Sequence, residues 1–145
     1  VTLDEMIYHA EMVGRAVRHA LVVVDMPFPS YHLGVFEAIN SAGRILKQTR
    51  AQAVKLEGGA DQSDVISGLV SAGIPVMAHV GLRPQSVHQL GGYGVQRDAD
   101  RLFADAQSAE MSGVDVAAGE TELVVVYTVD GTSLDAVTLP MAGTT

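Results

Sequence analysis

Asp25, Lys55, Glu57 and His79 are of the types that bind anions and hard cations, and each stands near the end of an apolar run. Residues 20–25 read Ala-Leu-Val-Val-Val-Asp, residues 51–56 lead into Glu57-Gly58-Gly59, and residues 74–80 read Ile-Pro-Val-Met-Ala-His-Val. Continuous apolar runs of this length suit strands buried on both faces. If these strands are parallel, their C-terminal ends share one rim, and residues distant in sequence meet there. Two carboxylates, an ammonium and an imidazole would then face a common space. Magnesium takes oxygen ligands and keeps several waters, so one or two carboxylates suffice to hold it. A lysine pairs with a substrate carboxylate as a point charge.

Each position also has a plainer explanation. A charged residue at a strand end is often a solvated terminus, which is the alternative for Asp25. Lys55 and Glu57 are separated by one residue, so both side chains leave the same face of a strand. If Val54 and Leu56 pack outward against helices, Lys55 and Glu57 point inward, which is costly unless they are paired or functional. An internal structural ion pair is the competing account. His79 on its own would be a satisfied core histidine; its company makes it a candidate. His9 and His19 read as surface or packing residues, while His32 and His88 fall in loops on the presumed site face. The scattered methionines read as core filler. Gly58-Gly59 lacks the G-x-G-x-x-G spacing of a dinucleotide fingerprint and indicates only close backbone approach.

The elements that must position these residues alternate. Thr2-Leu3-Asp4-Glu5 has the form of a capping box, so a helix should follow to about residue 18. Further helices are expected over residues 35–48, 62–72 (stopped by Gly73) and 98–111 (stopped by Gly113). Residues 26–34 and 82–95 read as loops, 114–118 as a weak fourth strand, and 123–129 as a β-prone run of uncertain place. Strand-helix repetition with buried-type strands predicts a parallel α/β fold.

Composition narrows the function classes. The 145 residues are 48% hydrophobic and 18% charged, which excludes a disordered chain and fits one domain. A net charge of -8 and 5% aromatics argue against nucleic acid as a partner. With no cysteine, thiolate catalysis, disulfides and Cys-ligated zinc are excluded. No apolar run approaches the length of a membrane span, so no membrane partner is expected. The chain opens on Val1 without a charged-then-apolar leader, so the expectation is a cytoplasmic protein with residues upstream of those present.

Several runs, in order, resemble the ketopantoate hydroxymethyltransferase family: Val24-Asp25-Met26-Pro27-Phe28 with Ser30-Tyr31, then Ala53-Val54-Lys55-Leu56-Glu57-Gly58-Gly59. They continue with Ala72-Gly73-Ile74-Pro75-Val76-Met77-Ala78-His79-Val80-Gly81-Leu82, Pro84-Gln85-Ser86-Val87 and Gly91-Gly92-Tyr93, and Thr2-Leu3-Asp4-Glu5-Met6 is similar to the segment before the family's third strand. The resemblance covers residues 1–113 and implies a (β/α) barrel of the phosphoenolpyruvate mutase and isocitrate lyase type, here an incomplete one supplying strands three to six. It implies transfer of a hydroxymethyl group from 5,10-methylenetetrahydrofolate to 3-methyl-2-oxobutanoate, giving 2-dehydropantoate for pantothenate biosynthesis through a magnesium-stabilised enolate. By resemblance, Asp25 is a metal ligand and substrate contact, Lys55 binds substrate, Glu57 belongs to the magnesium site, and His79 is an active-site histidine. Bacterial members of the family form homo-oligomers, which is the expectation here.

The sequence departs from the family in three respects. The family's Gly-Asp-Ser motif lies on a strand earlier than any present here. Its general base is a glutamate ending the sixth strand, which counting from Gly113 places at Glu120, with Glu122 as the fallback; Ala117-Ala118-Gly119 is a poor version of the usual apolar run. Residues 121–145 do not match the last barrel strands and read as a divergent tail after the barrel segment of residues 1–120: one strand, then a loose polar terminus. Two other accounts stay open: a truncated, non-catalytic fragment that keeps partial magnesium and 2-oxo acid binding, and a related lyase acting on oxaloacetate-like acids.

Overall fold

The computed structural model describes residues 1–80, 85, 99–112, 122–129 and 133–140. Helix α1 (Leu3–Ala16) starts at the anticipated capping box: the Thr2 hydroxyl accepts from the Glu5 N–H, and the Glu5 carboxylate accepts from the Thr2 N–H at 2.7 Å. The chain then forms β1 (Leu21–Asp25), α2 (Val35–Gln48), β2 (Ala53–Glu57), a short 3-10 turn (Ala60–Gln62), α3 (Ser63–Ser71) and β3 (Val76–His79). Gly73 ends α3 as the sequence predicts. Its φ of 79° lies in the left-handed region open to glycine, and its N–H bonds the Val70 carbonyl. Helix α4 (Ala99–Met111) and strands β4 (Glu122–Val129) and β5 (Ser133–Pro140) complete the described chain.

The sheet order is β3-β2-β1-β4-β5. Strands β1 to β4 are parallel, and β5 returns antiparallel to β4. Parallel α/β architecture is therefore as read from the sequence. The β-prone run of uncertain place is β4, and it lies beside β1, with Leu21 opposite Leu123 and Val24 opposite Val126. The tail differs from its reading as a loose terminus, because β5 pairs with β4 over eight residues from Ser133 to Pro140. The signal for this is Asp130-Gly131, a dipeptide that favours hairpin turns, followed by the β-prone residues Val137-Thr138-Leu139. The expected strand at 114–118 and all of the expected loop at 82–95 except Gln85 lie outside the described residues.

Strand periodicity divides the sheet into two faces. Val22, Val24, Val54, Leu56 and Val76 join Met6 and Ala10 of α1, Ala38 and Ile45 of α2, and Ile66 and Leu69 of α3 in the main core. The alternate residues, Val23, Ala53, Leu21 and Met77, form a second, smaller cluster on the other face. By the same alternation that face carries Asp25, Lys55, Glu57 and His79 at the C-terminal rim. The inference that Val54 and Leu56 pack against helices while Lys55 and Glu57 turn away from them therefore holds.

Candidate functional site

Backbone register brings the rim together. Asp25 stands opposite Lys55 across the β1–β2 pair, and Glu57 stands opposite His79 across the β2–β3 pair. Lys55 Nζ donates to Asp25 Oδ2 at 2.6 Å, with both side chains largely buried (13% and 14% exposed). His79 Nδ1 lies 3.9 Å from Glu57 Oε1, close enough for charge attraction but long for a hydrogen bond. Glu57 is 5% exposed, one of the buried polar or charged residues among those described.

Burial governs the electrostatics. It pushes the Asp25 carboxyl above its usual range, and Lys55, with a weaker pull from His79, only partly offsets this. The close ion pair and the raised carboxyl describe one balance: desolvation outweighs a single ammonium. The other Asp25 oxygen, Oδ1, is buried and has no hydrogen-bond partner among the described residues. A buried carboxylate oxygen of this kind calls for a hydrogen-bond donor, a proton or a cation.

That orphaned oxygen tests whether the rim suits magnesium. The donors available are hard carboxylate oxygens, the type this cation prefers, and it fills its remaining positions with water. Asp25 Oδ1 is the buried carboxylate oxygen left without a partner among the described residues, and Glu57 is the second carboxylate of the rim. The described residues contain no cluster of three or more His, Cys, Asp or Glu able to hold a metal. A cation held here would draw its remaining coordination from water and substrate oxygens.

Tyr31 and Gln85, to which the sequence reading gave no role, complete the rim. Tyr31 is fully buried; its hydroxyl accepts from the Glu57 N–H at 3.2 Å and donates to Gln85 Oε1 at 3.0 Å. Gln85 Nε2 donates to the Met26 carbonyl at 3.0 Å, and the Gln85 N–H donates to Glu57 Oε2 at 3.0 Å. Both residues lie inside the runs that carry the family resemblance, but 54 positions separate them, and only the fold joins them.

The remaining candidates divide. His32 is exposed, with its ring 4.1 Å from that of Tyr31 and 4.8 Å from that of Phe28 (centroid distances). Partial desolvation pushes its imidazole below the usual value, against the pull of Asp61. His9 is half-buried on α1 beside Tyr8, and His19 is exposed. Glu120 and His88 lie outside the described residues. Glu122 opens β4 next to Leu123, the partner of Leu21, so the backbone places it at the sheet end away from Asp25. The fallback base is therefore not brought to the rim. Gly58, at φ 139°, and Gly59 do permit close approach, but of the protein itself: Gln62 at Gly58, and α4 at Gly59, where a Cβ would lie 2.6 Å from Asp105 Cα. Asp105 in turn caps the 3-10 turn by accepting from the Ala60 N–H at 3.1 Å. No described helix is long and apolar enough to cross a membrane.

A model of the family described as ketopantoate hydroxymethyltransferase matches residues 1–125. A 3-methyl-2-oxobutanoate hydroxymethyltransferase of Rhodopirellula baltica is 59% identical over 113 residues, covering 78% of this chain and 42% of that protein. One of Desulforapulum autotrophicum is 56% identical over 113 residues, covering 78% and 43%. A third, of Halorhodospira halophila, is 51% identical over 120 residues, covering 80% and 43%. The chain thus spans about two-fifths of the length of these curated relatives.

Proposed function

This chain belongs to the ketopantoate hydroxymethyltransferase family, and we propose that it carries the 2-oxo acid and cation side of a hydroxymethyltransferase site. The reaction is transfer of a hydroxymethyl group from 5,10-methylenetetrahydrofolate to 3-methyl-2-oxobutanoate, giving 2-dehydropantoate, in a cytoplasmic homo-oligomer. The described sheet is read as part of a (β/α) barrel, with the rim of β1, β2 and β3 as its catalytic mouth. The observation that carries this reading is the buried Asp25–Lys55 pair with an unpartnered Asp25 oxygen, beside buried Glu57.

Each group has a task in that chemistry. Lys55 offers its ammonium to the substrate carboxylate, a contact that shares the charge it now directs to Asp25. Asp25 Oδ1, with Glu57 nearby, holds magnesium, which when bound supplies Lewis-acid polarisation of the 2-oxo acid. His79 lines the rim beside Glu57 and orients the hydroxylated product. The base that takes the substrate's C3 proton is read as Glu120, a role that needs an arrangement in which β4 does not lie against β1 as it does here.

A second reading, a binding fragment without turnover, is favoured by one observation: β4 occupies the edge of β1. In a complete barrel of this type the strand bearing the Gly-Asp-Ser motif would lie there. Calorimetric titration with 3-methyl-2-oxobutanoate, with and without magnesium, tests both. Magnesium-dependent binding supports the site, and an assay with the folate donor then separates enzyme from fragment. A folded chain that binds neither magnesium nor the acid refutes both.

A further inference from the structure

Gln85 occupies a position whose consequence lies in the two carboxylates of the rim. Its side-chain amide is used at both ends: Nε2 donates to the carbonyl of Met26, the residue after Asp25, and Oε1 accepts from the Tyr31 hydroxyl. With the side chain held at two points, its backbone N–H is fixed 3.0 Å from Glu57 Oε2. The same Tyr31 hydroxyl accepts from the Glu57 N–H, so Glu57 is held at its backbone and at its carboxylate by one connected set of bonds. Gln85 therefore ties the end of β1 to the end of β2, the strands that carry Asp25 and Glu57.

We propose that Gln85 is a positioning residue for the cation site: anchored by Tyr31 and the Met26 carbonyl, it fixes the Glu57 carboxylate relative to Asp25. This rests on the reading of Asp25 and Glu57 as the cation's carboxylates. Gln85 is not itself a ligand, because Oε1 is engaged by Tyr31 and Nε2 is a donor. Its contribution is preorganisation. A glutamate free to sample rotamers gives up that freedom when a cation binds, whereas one whose carboxylate already accepts from the Gln85 N–H, with its backbone N–H tied to Tyr31, gives up less. Groups that orient a metal's carboxylates typically change its affinity by about 10- to 100-fold when removed.

The test uses the whole chain and magnesium chloride alone as ligand. Gln85→Met keeps the side chain's bulk and removes both amide contacts; Tyr31→Phe removes the hydroxyl that anchors Gln85 and Glu57. Calorimetric magnesium affinity is expected to fall about tenfold or more in each, with the double variant little worse than either single one because both break one chain of bonds. A chain that melts lower yet binds magnesium as tightly as the parent overturns the proposal. Hydrogen exchange of the residue-85 amide separates failure of the cation reading from failure of this one. If the parent binds no magnesium, a protected amide at residue 85 that loses protection in Tyr31→Phe still supports Gln85 as the anchor of Glu57. An unprotected amide in the parent overturns it, and the measurement stands even if Gln85→Met fails to fold.

Discussion

Replacing Lys55 with Met exposes what the Asp25–Lys55 pair does for stability. Methionine retains most of the lysine stem and removes the ammonium 2.6 Å from Asp25 Oδ2. The Asp25 carboxyl already sits above its usual range because burial outweighs Lys55. Without Lys55 it loses its main opposing influence, and its folded-state pKa rises further. A buried carboxylate has an escape: it takes up a proton. The cost of that escape at pH 7 sets a ceiling. At about 1.36 kcal/mol per pH unit below neutrality, holding an aspartate of ordinary pKa 3.8 protonated costs about 4 kcal/mol. This agrees with the loss of about 3–5 kcal/mol typical when one partner of a buried pair is removed. The sign follows from the raised pKa. The folded state binds the proton more tightly than the unfolded one, so stability is fully present below pH 3.8 and is lost as pH rises through the folded value. Urea unfolding followed by far-ultraviolet dichroism, at pH 7 and at pH 4, measures the parent-minus-variant difference, in which the other carboxylates cancel. Because the parent already bears part of that cost, the variant should lose less than about 4 kcal/mol at pH 7 and regain most of it at pH 4. Adding Asp25→Asn should restore much of the loss at pH 7. An equal loss at both pH values, or none at pH 7, refutes the buried-pair account.

Two further predictions concern the same rim. Glu57→Gln preserves shape and removes charge, so magnesium affinity should fall at least about tenfold while helix content is unchanged; a variant that unfolds instead would identify Glu57 as a purely structural charge. Gly59→Ala should lower stability by about 1–3 kcal/mol, seen as a drop of several degrees in the melting midpoint, because its Cβ would meet the backbone of Asp105 at 2.6 Å. An unchanged midpoint would mean that α4 does not pack on the β2–α3 turn.

The parts of the site legible in the sequence were those that follow from periodicity. Asp25, Lys55, Glu57 and His79 close apolar runs, and alternation within β2 sends Lys55 and Glu57 away from Val54 and Leu56. Local rules likewise place the capping box at Thr2 and Glu5 and the stop at Gly73. Tyr31 and Gln85 escape such rules. A tyrosine in a two-proline loop and a glutamine beyond a strand carry no periodic signal, and the family runs they lie in were read without assigning them a role. Their role arises from hydrogen bonds across 26 and 54 positions, which depend on how the loops return to the rim. The tail was misread for a related reason. The run at 123–129 is plainly β-prone, but nothing local says which edge it will pair with, and β4 crosses back past β2 to reach β1.

That pairing bears directly on what the chain does with its site. A parallel strand buried on both faces still needs both edges satisfied, because an unpaired apolar edge invites association. β1 is satisfied by β2 on one side and β4 on the other, and β4 is satisfied in turn by β5. In a closed barrel of eight parallel strands, consecutive strands are neighbours, so β1 would instead be flanked by β2 and by the strand preceding it. One edge takes one partner. β4 and a preceding strand bearing a Gly-Asp-Ser motif are therefore mutually exclusive neighbours of Asp25, and the arrangement with β4 supplies the rim at that position with the segment around Tyr127 rather than with a further acidic ligand. Asp25 Oδ1 is left without a hydrogen-bond partner among the described residues. On the proposed reading, a form that only binds and a form that turns over would thus differ in which strand lies against β1.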